Sequence, residues 1–570
     1  MKVTDYILSF LVEKEIKQMF GYPGGVICHF IDSATKFTQN IKAHATYHEQ
    51  AAAFAACGYA QANCNVGVAY ATSGPGATNL VTGIANAFFD SIPVLFFTGQ
   101  VDTYGLRGTL PIRQKGFQET DVVSMLQGIT KYAVRVDSPE EIRYHLEKAY
   151  YLAVSGNPGP AVLDLPADVQ RADVVVETLR GFEPDEEVSV TKESKMVQTI
   201  LQKLKKAERP CLLVGNGVKQ SGCRSMIRTI IEAMKIPAVF SMPAFDVLPT
   251  EHPQNMGFIG ANGHRYANFV LGKSDLILTV GSRMDLKQVG NQRTSFAPQA
   301  KIVRVDIDEG NLFYKVHEDE CGIVADLRRL CPAWLKKIGE FPKCSDKWLD
   351  ACRQLKDELK GYDDLPYNKL LTAFGDMIPE NVIMTADVGQ SELWVAQNLP
   401  IKKGQRVYLS AGHGTMGYSL PAAIGASYTA DRPVFSFSGD GGIQMNLQEL
   451  QFVKRENRPI KVIVINNHAL GMIRGFQEAN FNKNYTQTIQ GCGYSAPDFE
   501  KLAKAYDLPY TRITQEKDLV GLQLDTMKAE LIEIVIPQYT LLNPNFGTNG
   551  KIQDQRPYMN RDLYNRLMEL

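Results

Sequence analysis

Short, unbroken apolar runs recur along the chain, separated by stretches whose apolar residues fall at helical spacing. VGVAYAT (66–72), IPVLFFTG (92–99) and PAVLDLP (160–166) form a first group. Runs of this kind, apolar on both faces, suit parallel strands covered by helices on either side. RPCLLVGNG (209–217), IPAVFSM, SDLILTVGS and AKIVRVDID form a second group, reaching to about Gly339. VIMTADVG (382–389), RPVFSFSGDGG (432–442) and IKVIVINN (460–467) form a third. Strand–helix alternation on this scale predicts an α/β fold of three doubly wound parallel-sheet domains, over 1–180, 190–340 and 360–537. A charged linker, EPDEEVSV (183–190), separates the first two. A lysine-rich connector with Pro342 and the helical segment WLDACRQLKDELK lead into the third. Residues 538–570, rich in Asn, Pro, Gln and Tyr, predict an extended tail that packs over the site or a neighbouring subunit.

Composition narrows the function classes. Of 570 residues, 44% are hydrophobic and 22% charged, with a net charge of -1, an ordinary globular mixture with no bulk attraction for nucleic acid or anionic lipid. The basic stretch KLKK (203–206) reads as the wet face of a helix. The opening MKVTDYILSFLVEKEIKQMF has helical spacing, but Asp5, Glu13, Lys14 and Glu15 interrupt it, so it reads as an amphipathic helix and not a signal peptide. No apolar window approaches a membrane span. The ten cysteines lack paired metal-ligand spacing and read as free thiols in a reducing cytoplasm.

Ligands of doubly wound sheets lie beyond the carboxyl ends of strands, where Gly-rich turns open helices. Gly439-Asp440-Gly441-Gly442 follows one apolar strand and Asn466-Asn467 follows the next. A diphosphate is held through a divalent ion, and Mg²⁺ takes hard oxygen ligands in octahedral geometry. The Asp440 carboxylate, the Asn467 amide oxygen and the Ala469 carbonyl would supply three of them. Gly441 and Gly442 let backbone N–H groups approach phosphate, and the helix beginning near Ile443 adds its positive end. GDGG alone is a common turn. With 24 residues between GDG and NN, the pair resembles the signature of thiamine-diphosphate (ThDP) enzymes.

The resemblance extends over nearly the whole chain and is strongest to the acetohydroxyacid (acetolactate) synthases. It rests on FGYPGG (20–25), YHEQAAAFAACGYA, TSGPGATNLVTGIANAF (72–88), PVLFFTGQV, GFQETD (116–121), HGTMGYSLPAAIGA (413–426) and NNHALGMIRGFQ (466–477). It implies that Glu49 hydrogen-bonds N1′ of the cofactor's aminopyrimidine, although a lone glutamate before a helix ordinarily reads as a cap. Glu49 opens a small-residue helix that could pack tightly against another chain. The resemblance further implies that the Gly414 carbonyl accepts from the 4′-amino group and that Met416, otherwise a plain core methionine, wedges between the rings. Val388, Gly389 and Gln390 would touch the diphosphate, and Gly471 and Met472 would flank the cofactor. Gly25 would line the path to the reactive carbon, Phe117 and Gln118 would border the substrate pocket from a partner chain, and Met472 and Phe476 would lie beside the reacting groups. Because glutamate and diphosphate come from opposite subunits in that family, a homodimer or homotetramer is implied. So is FAD as a structural cofactor in the central domain, at Gly215, Gly217, Gly260, Gly263, Arg283, Asp285 and Asp306.

The chain also departs from the family. Phe476 replaces a tryptophan, Asn157 an arginine, Ala167 a lysine, Ser391 a histidine, and Ala261-Asn262 a Met-His pair. The expected activity is decarboxylation of pyruvate and transfer of its two-carbon unit to a ketone. Loss of basic groups near the entrance leaves two acceptors open, a second pyruvate or a 4-keto sugar nucleotide. The Asn/Tyr/Gln-rich tail resembles ThDP enzymes of surface-polysaccharide pathways. An oxidase with redox-active flavin and a catalytically dead relative are the remaining alternatives.

Overall fold

The computed structural model describes residues 1–184, 191–429, 432–545 and 550–570, so most of the charged linker lies outside the described residues. Three six-stranded sheets organise the chain, and every pairing between their strands is parallel. The first holds β1 (Gln18–Gly21), β2 (Lys42–Ala45), β3 (Gly67–Ala71), β4 (Val94–Gln100), β5 (Tyr132–Arg135) and β6 (Pro160–Pro166) in the order β2-β1-β3-β4-β6-β5. The second holds β7 (Pro210–Val214), β8 (Ala238–Phe240), β9 (Asn255–Phe258), β10 (Leu276–Val280), β11 (Lys301–Asp306) and β12 (Cys321–Val324) in the order β12-β11-β10-β7-β8-β9. The third holds β13 (Ile383–Ala386), β14 (Arg406–Leu409), β15 (Val434–Gly439), β16 (Ile460–Asn466), β17 (Tyr510–Ile513) and β18 (Glu530–Val535) in the order β14-β13-β15-β16-β18-β17.

The first and third sheets share one topology. The second follows the strand order of dinucleotide-binding folds, with its reversal between β7 and β10. The central strands β3, β4, β6, β7, β10 and β16 are buried along their whole length, as continuous apolar runs require.

Two hydrophobic cores cross between sheets. One joins the middle and C-terminal sheets, and another joins the N-terminal and C-terminal sheets. At the second, the Glu49–Asn63 helix lies on the Ser419–Ala426 helix with backbone close to backbone. A Cβ on Gly425 would stand 1.8 Å from the Ala55 carbonyl oxygen, and one on Gly58 2.1 Å from that of Ala422. The small-residue face of this helix is thus used within the chain, where the sequence suggested a neighbouring subunit.

An ion cluster joins the middle domain to β14. Asp246 meets Lys219 at 2.9 Å and Arg224 at 2.9 Å, and accepts a hydrogen bond from Val407 N. The tail packs on its own chain. Residues 537–542 run beside the C-terminal sheet, where the Leu541 carbonyl accepts from Tyr367. The Arg561–Glu569 helix, absent from the extended-tail expectation, docks on the middle domain, where Lys273 donates to the Leu567 carbonyl. Among the described residues no helix is long and apolar enough to cross a membrane.

Candidate functional site

The C-terminal sheet reverses its strand order between β13 and β15, the position where doubly wound sheets bind ligands. Asp387 follows β13 directly and is fully buried. Its two oxygens accept from Gly417 N (2.9 Å) and Tyr418 N (3.0 Å), anchoring the loop that carries Gly414 and Met416. Burial pushes its carboxyl up to about 7, against the pull of these N–H donors. A Cβ on Gly442 would stand 2.2 Å from Asp387 Oδ2, so the turn after β15 closes on the turn after β13 only with glycine there. This brings Val388, Gly389 and Gln390 together with Asp440, Gly441 and Gly442 around one cavity.

Asp440 is buried at the end of β15. Tyr494 donates its hydroxyl to Asp440 Oδ2 at 2.8 Å, and the N–H groups of Asn467 and Ala469 also point to the carboxylate. Burial pushes the group up to about 6, and these donors restrain the rise. Asn467 Oδ1 accepts from Ala469 N at 3.2 Å, while Asn467 Nδ2 donates to Gln390 Oε1 at 2.8 Å. Asp440, Asn467 and Ala469 therefore lie side by side in the cavity lining. Among the described residues no three His, Cys, Asp or Glu cluster as a metal site, and this candidate relies on neutral oxygens beside one carboxylate. Gly471 is squeezed by Gln390 Oε1, 1.8 Å from where its Cβ would be, and opens the Gly471–Asn480 helix beside the cavity.

The cavity, of about 690 Å³, continues into the middle domain. Gly414, Met416, Ala469, Gly471 and Met472 line the first lobe. Gly217, Arg283, Asp285 and Asp306 line the second. Of the six positions that depart from family expectation, Asn157, Ala261, Asn262 and Ser391 also line it, while Ala167 and Phe476 do not. Gly215, Gly260 and Gly263 do not. Gly215 abuts the Gly281 carbonyl, Gly260 exchanges hydrogen bonds with Asn268, and the Gly263 carbonyl accepts from Gln555 of the tail. Asp285 caps the Leu286–Val289 helix, and Asp306 Oδ1 accepts from Asp308 N. Burial holds the Asp306 carboxyl above the usual carboxylate range.

Gly25, Glu49, Phe117 and Gln118 are not part of this lining. The structure gathers most of them at the carboxyl ends of the N-terminal strands. Asn79 Nδ2 donates to Glu49 Oε2 at 2.9 Å, Gly76 lies beside Glu49 Oε1, and Gly74 packs on Gln118. Gly25 follows Gly24, which packs on Thr72 of the same turn. Phe117 is 85%, Phe476 58%, Met472 43% and Met416 36% exposed. Within one chain, Gly25, Glu49, Phe117 and Gln118 thus lie apart from the cavity that Asp440 and Asn467 line.

Three family profiles cover the chain in order. "Thiamine pyrophosphate enzyme, N-terminal TPP binding domain" matches residues 1–125, the central domain 197–334, and the C-terminal TPP binding domain 387–530. The chain belongs to the thiamine pyrophosphate enzyme family. Within it, the chain is 36% identical over 533 residues to the acetolactate synthase isozyme 2 large subunit of Escherichia coli, covering 92% of this chain and 93% of that protein. It is 34% identical to the acetolactate synthase large subunit of Lactococcus lactis, covering 94% and 92%. It is 32% identical to the chloroplastic acetolactate synthase 1 of Oryza sativa, covering 97% and 87%.

Three polar groups of this thiamine pyrophosphate enzyme escaped the sequence reading. Asp387 had a signal, a carboxylate immediately after a buried strand. Tyr494 had none, because it reaches Asp440 from a loop with no repeating pattern. Glu392 lines the cavity with Oε1 unpartnered, and burial pushes its carboxyl up to about 8.

Proposed function

We propose that this chain decarboxylates pyruvate and joins the two-carbon remainder to a ketone, using ThDP held through Mg²⁺. The observation that carries this reading is the meeting of Asp440, Asn467 and Ala469 at a switch-point cavity also lined by Gln390, Gly414 and Met416. The residues suit the group. Gly389 leaves open space where a Cβ would be, the ligand oxygens are hard, and a ten-residue helix begins at Gly471. Bound ThDP would supply a ring carbon that becomes a nucleophile on losing its proton, and a cationic ring to take up the electron pair left when CO₂ departs.

The protein's own groups do the rest. Asp440, Asn467 and Ala469 hold the metal, and Gly441 and Gly442 offer N–H groups to phosphate. The Gly414 carbonyl accepts from the pyrimidine amino group, Met416 wedges between the cofactor's two rings, and Met472 lies beside the reacting atoms. Glu49, with Gly25, Phe117 and Gln118, reaches the cofactor from a second copy of the chain. The separation of these residues from the cavity and the exposed Phe117, Met472 and Phe476 support a homodimer, or a homotetramer built from it. The dinucleotide-type strand order and the second cavity lobe support FAD there, with Gly217, Arg283, Asp285 and Asp306 nearest. The domain division at 1–180, 190–340 and 360–537, with a tail over 538–570, accommodates sheets spanning 18–166, 210–324 and 383–535. Relatives named acetolactate synthase favour pyruvate as acceptor and lend nothing to the keto-sugar or oxidase alternatives.

The test is mass analysis of products from ¹³C-pyruvate with ThDP and Mg²⁺, alongside extraction of any bound flavin. Labelled acetolactate is expected. Glu49→Gln lowers its formation by at least ~10²-fold while ThDP still binds. Undiminished turnover in that variant would rule out the assigned role of Glu49.

A further inference from the structure

The loop Gly412–Met416 is held from outside its own domain. The Val81–Phe89 helix of the N-terminal domain presents Asn86 and, just past its end, Asp90 to this loop. Asn86 Oδ1 accepts from Ser410 Oγ at 2.5 Å and from Thr415 Oγ1 at 3.2 Å. Ser410 Oγ in turn accepts from Thr415 N at 2.8 Å. Asp90 Oδ1 accepts from Gly412 N at 2.6 Å. The His413 ring stacks on Phe89 with centroids 5.3 Å apart and planes 9° from parallel. A Cβ on Gly412 would stand 2.6 Å from the Phe89 carbonyl oxygen, so the loop lies directly on the helix end. Both polar side chains are buried, and Asp90 also lines the cavity.

We propose that Asn86 and Asp90 are positioning residues that fix the Gly412–Met416 loop from the N-terminal domain, and so set where the Gly414 carbonyl and the Met416 side chain stand toward the cofactor. The inference rests on the reading above, that Gly414 and Met416 meet ThDP. Without the Asn86 oxygen, the hydroxyls of Ser410 and Thr415 lose their buried acceptor, and the loop is held only at its ends, by Asp90 at Gly412 and by Asp387 and Asn446 at Gly417 and Tyr418. A displacement of about 1 Å at a reacting geometry costs on the order of 10²-fold in rate. The Asn86 amide nitrogen contacts the Cys57 thiol and makes no hydrogen bond to an oxygen. An acceptor is therefore what the site needs, and Asn86→Asp preserves it.

The test compares Asn86→Ala, Asn86→Asp, Ser410→Ala and Met416→Ala in the full-length protein loaded with ThDP and Mg²⁺. It reads the near-ultraviolet circular dichroism of the bound cofactor before substrate is added, and then kcat and KM for pyruvate. Asn86→Ala is expected to change the cofactor's dichroism and lower kcat by ~10–100-fold, with KM moved less than about 3-fold. Ser410→Ala, which removes the Ser410 hydroxyl's link between Asn86 and Thr415 N, is expected to act likewise should Asn86→Ala not fold. Asn86→Asp restores both readouts. If Met416→Ala alters the dichroism while Asn86→Ala and Ser410→Ala leave it as in the parent, the positioning role is overturned. If Met416→Ala also leaves it unaltered, the loop does not meet the cofactor and the reading beneath the inference falls with it.

Discussion

A buried carboxylate needs donors around it, and Asp440 draws them from three directions: the Tyr494 hydroxyl and the N–H groups of Asn467 and Ala469. Tyr494 contacts only one of the two carboxylate oxygens, so it orients the group without closing it off. Partners that orient a metal ligand typically contribute ~10–100-fold to metal affinity. Tyr494→Phe should accordingly weaken Mg²⁺ binding by about 10-fold or more, read as the shift in a Mg²⁺ titration at saturating ThDP. An affinity equal to that of the parent protein would remove Asp440 from the proposed coordination sphere. Residue types at strand ends were readable where the chemistry is local: Asp440, Asn467 and Gly442 each follow an apolar run immediately. Tyr494, Asn86 and Asp90 act across long sequence separations, and their partners are fixed by packing that no neighbouring residue signals. The central-domain glycines show the opposite failure. Gly215, Gly260 and Gly263 occupy family positions, yet their demands come from the protein's own backbone and tail.

Elements were legible according to depth. Every unbroken apolar run singled out in the sequence became a strand inside a sheet, β3, β4, β6, β7, β8, β10, β11, β13, β15 and β16. The six sheet edges, β2, β5, β9, β12, β14 and β17, went unmarked, as did the interior strands β1 (QMFG) and β18 (ELIEIV, broken by two glutamates). An edge strand has a neighbour on one side only and is short, so its residues carry no long apolar run: β2 is KAHA and β17 is YTRI. The helix Glu49–Asn63 was read as a small-residue helix suited to tight packing on another chain, and it packs on the Ser419–Ala426 helix of its own. Composition reports how closely a face can approach, and says nothing of which chain supplies the other face. Its tightness is testable. Gly425→Ala places a methyl group 1.8 Å from the Ala55 carbonyl oxygen, backbone that cannot step aside cheaply. Overpacking of this kind costs ~1–3 kcal/mol, to be measured as a lowered thermal midpoint. A midpoint that does not move would show that the two helices have slack between them.

At the scale of the molecule, the three sheets are joined by shared cores and by the buried cluster Asp246–Lys219–Arg224. Burial opposes ionisation of Asp246, but Arg224, Lys219 and the Val407 N–H outweigh it and hold the carboxyl at about 2. The folded value lies below the unfolded one, so the stability this group contributes is complete above about pH 4 and disappears as the pH falls through 2. Asp246→Asn leaves two buried cations short of a counter-charge and should cost ~3–5 kcal/mol near neutral pH. It should also flatten the decline in denaturant midpoint between about pH 4 and 2. If the variant declines as steeply as the parent there, other carboxylates govern the acid limb.

The tail over 537–542 has a consequence for the cavity. The Thr540 carbonyl accepts from Gln390 at 3.2 Å and from the fully buried Arg474 at 2.6 Å, while Gln538 donates to the His468 carbonyl. This stretch, which belongs to no sheet, closes over Gln390 in the cavity lining and over Arg474 on the helix beside it, so the cavity's outer wall depends on chain that no strand pairing holds.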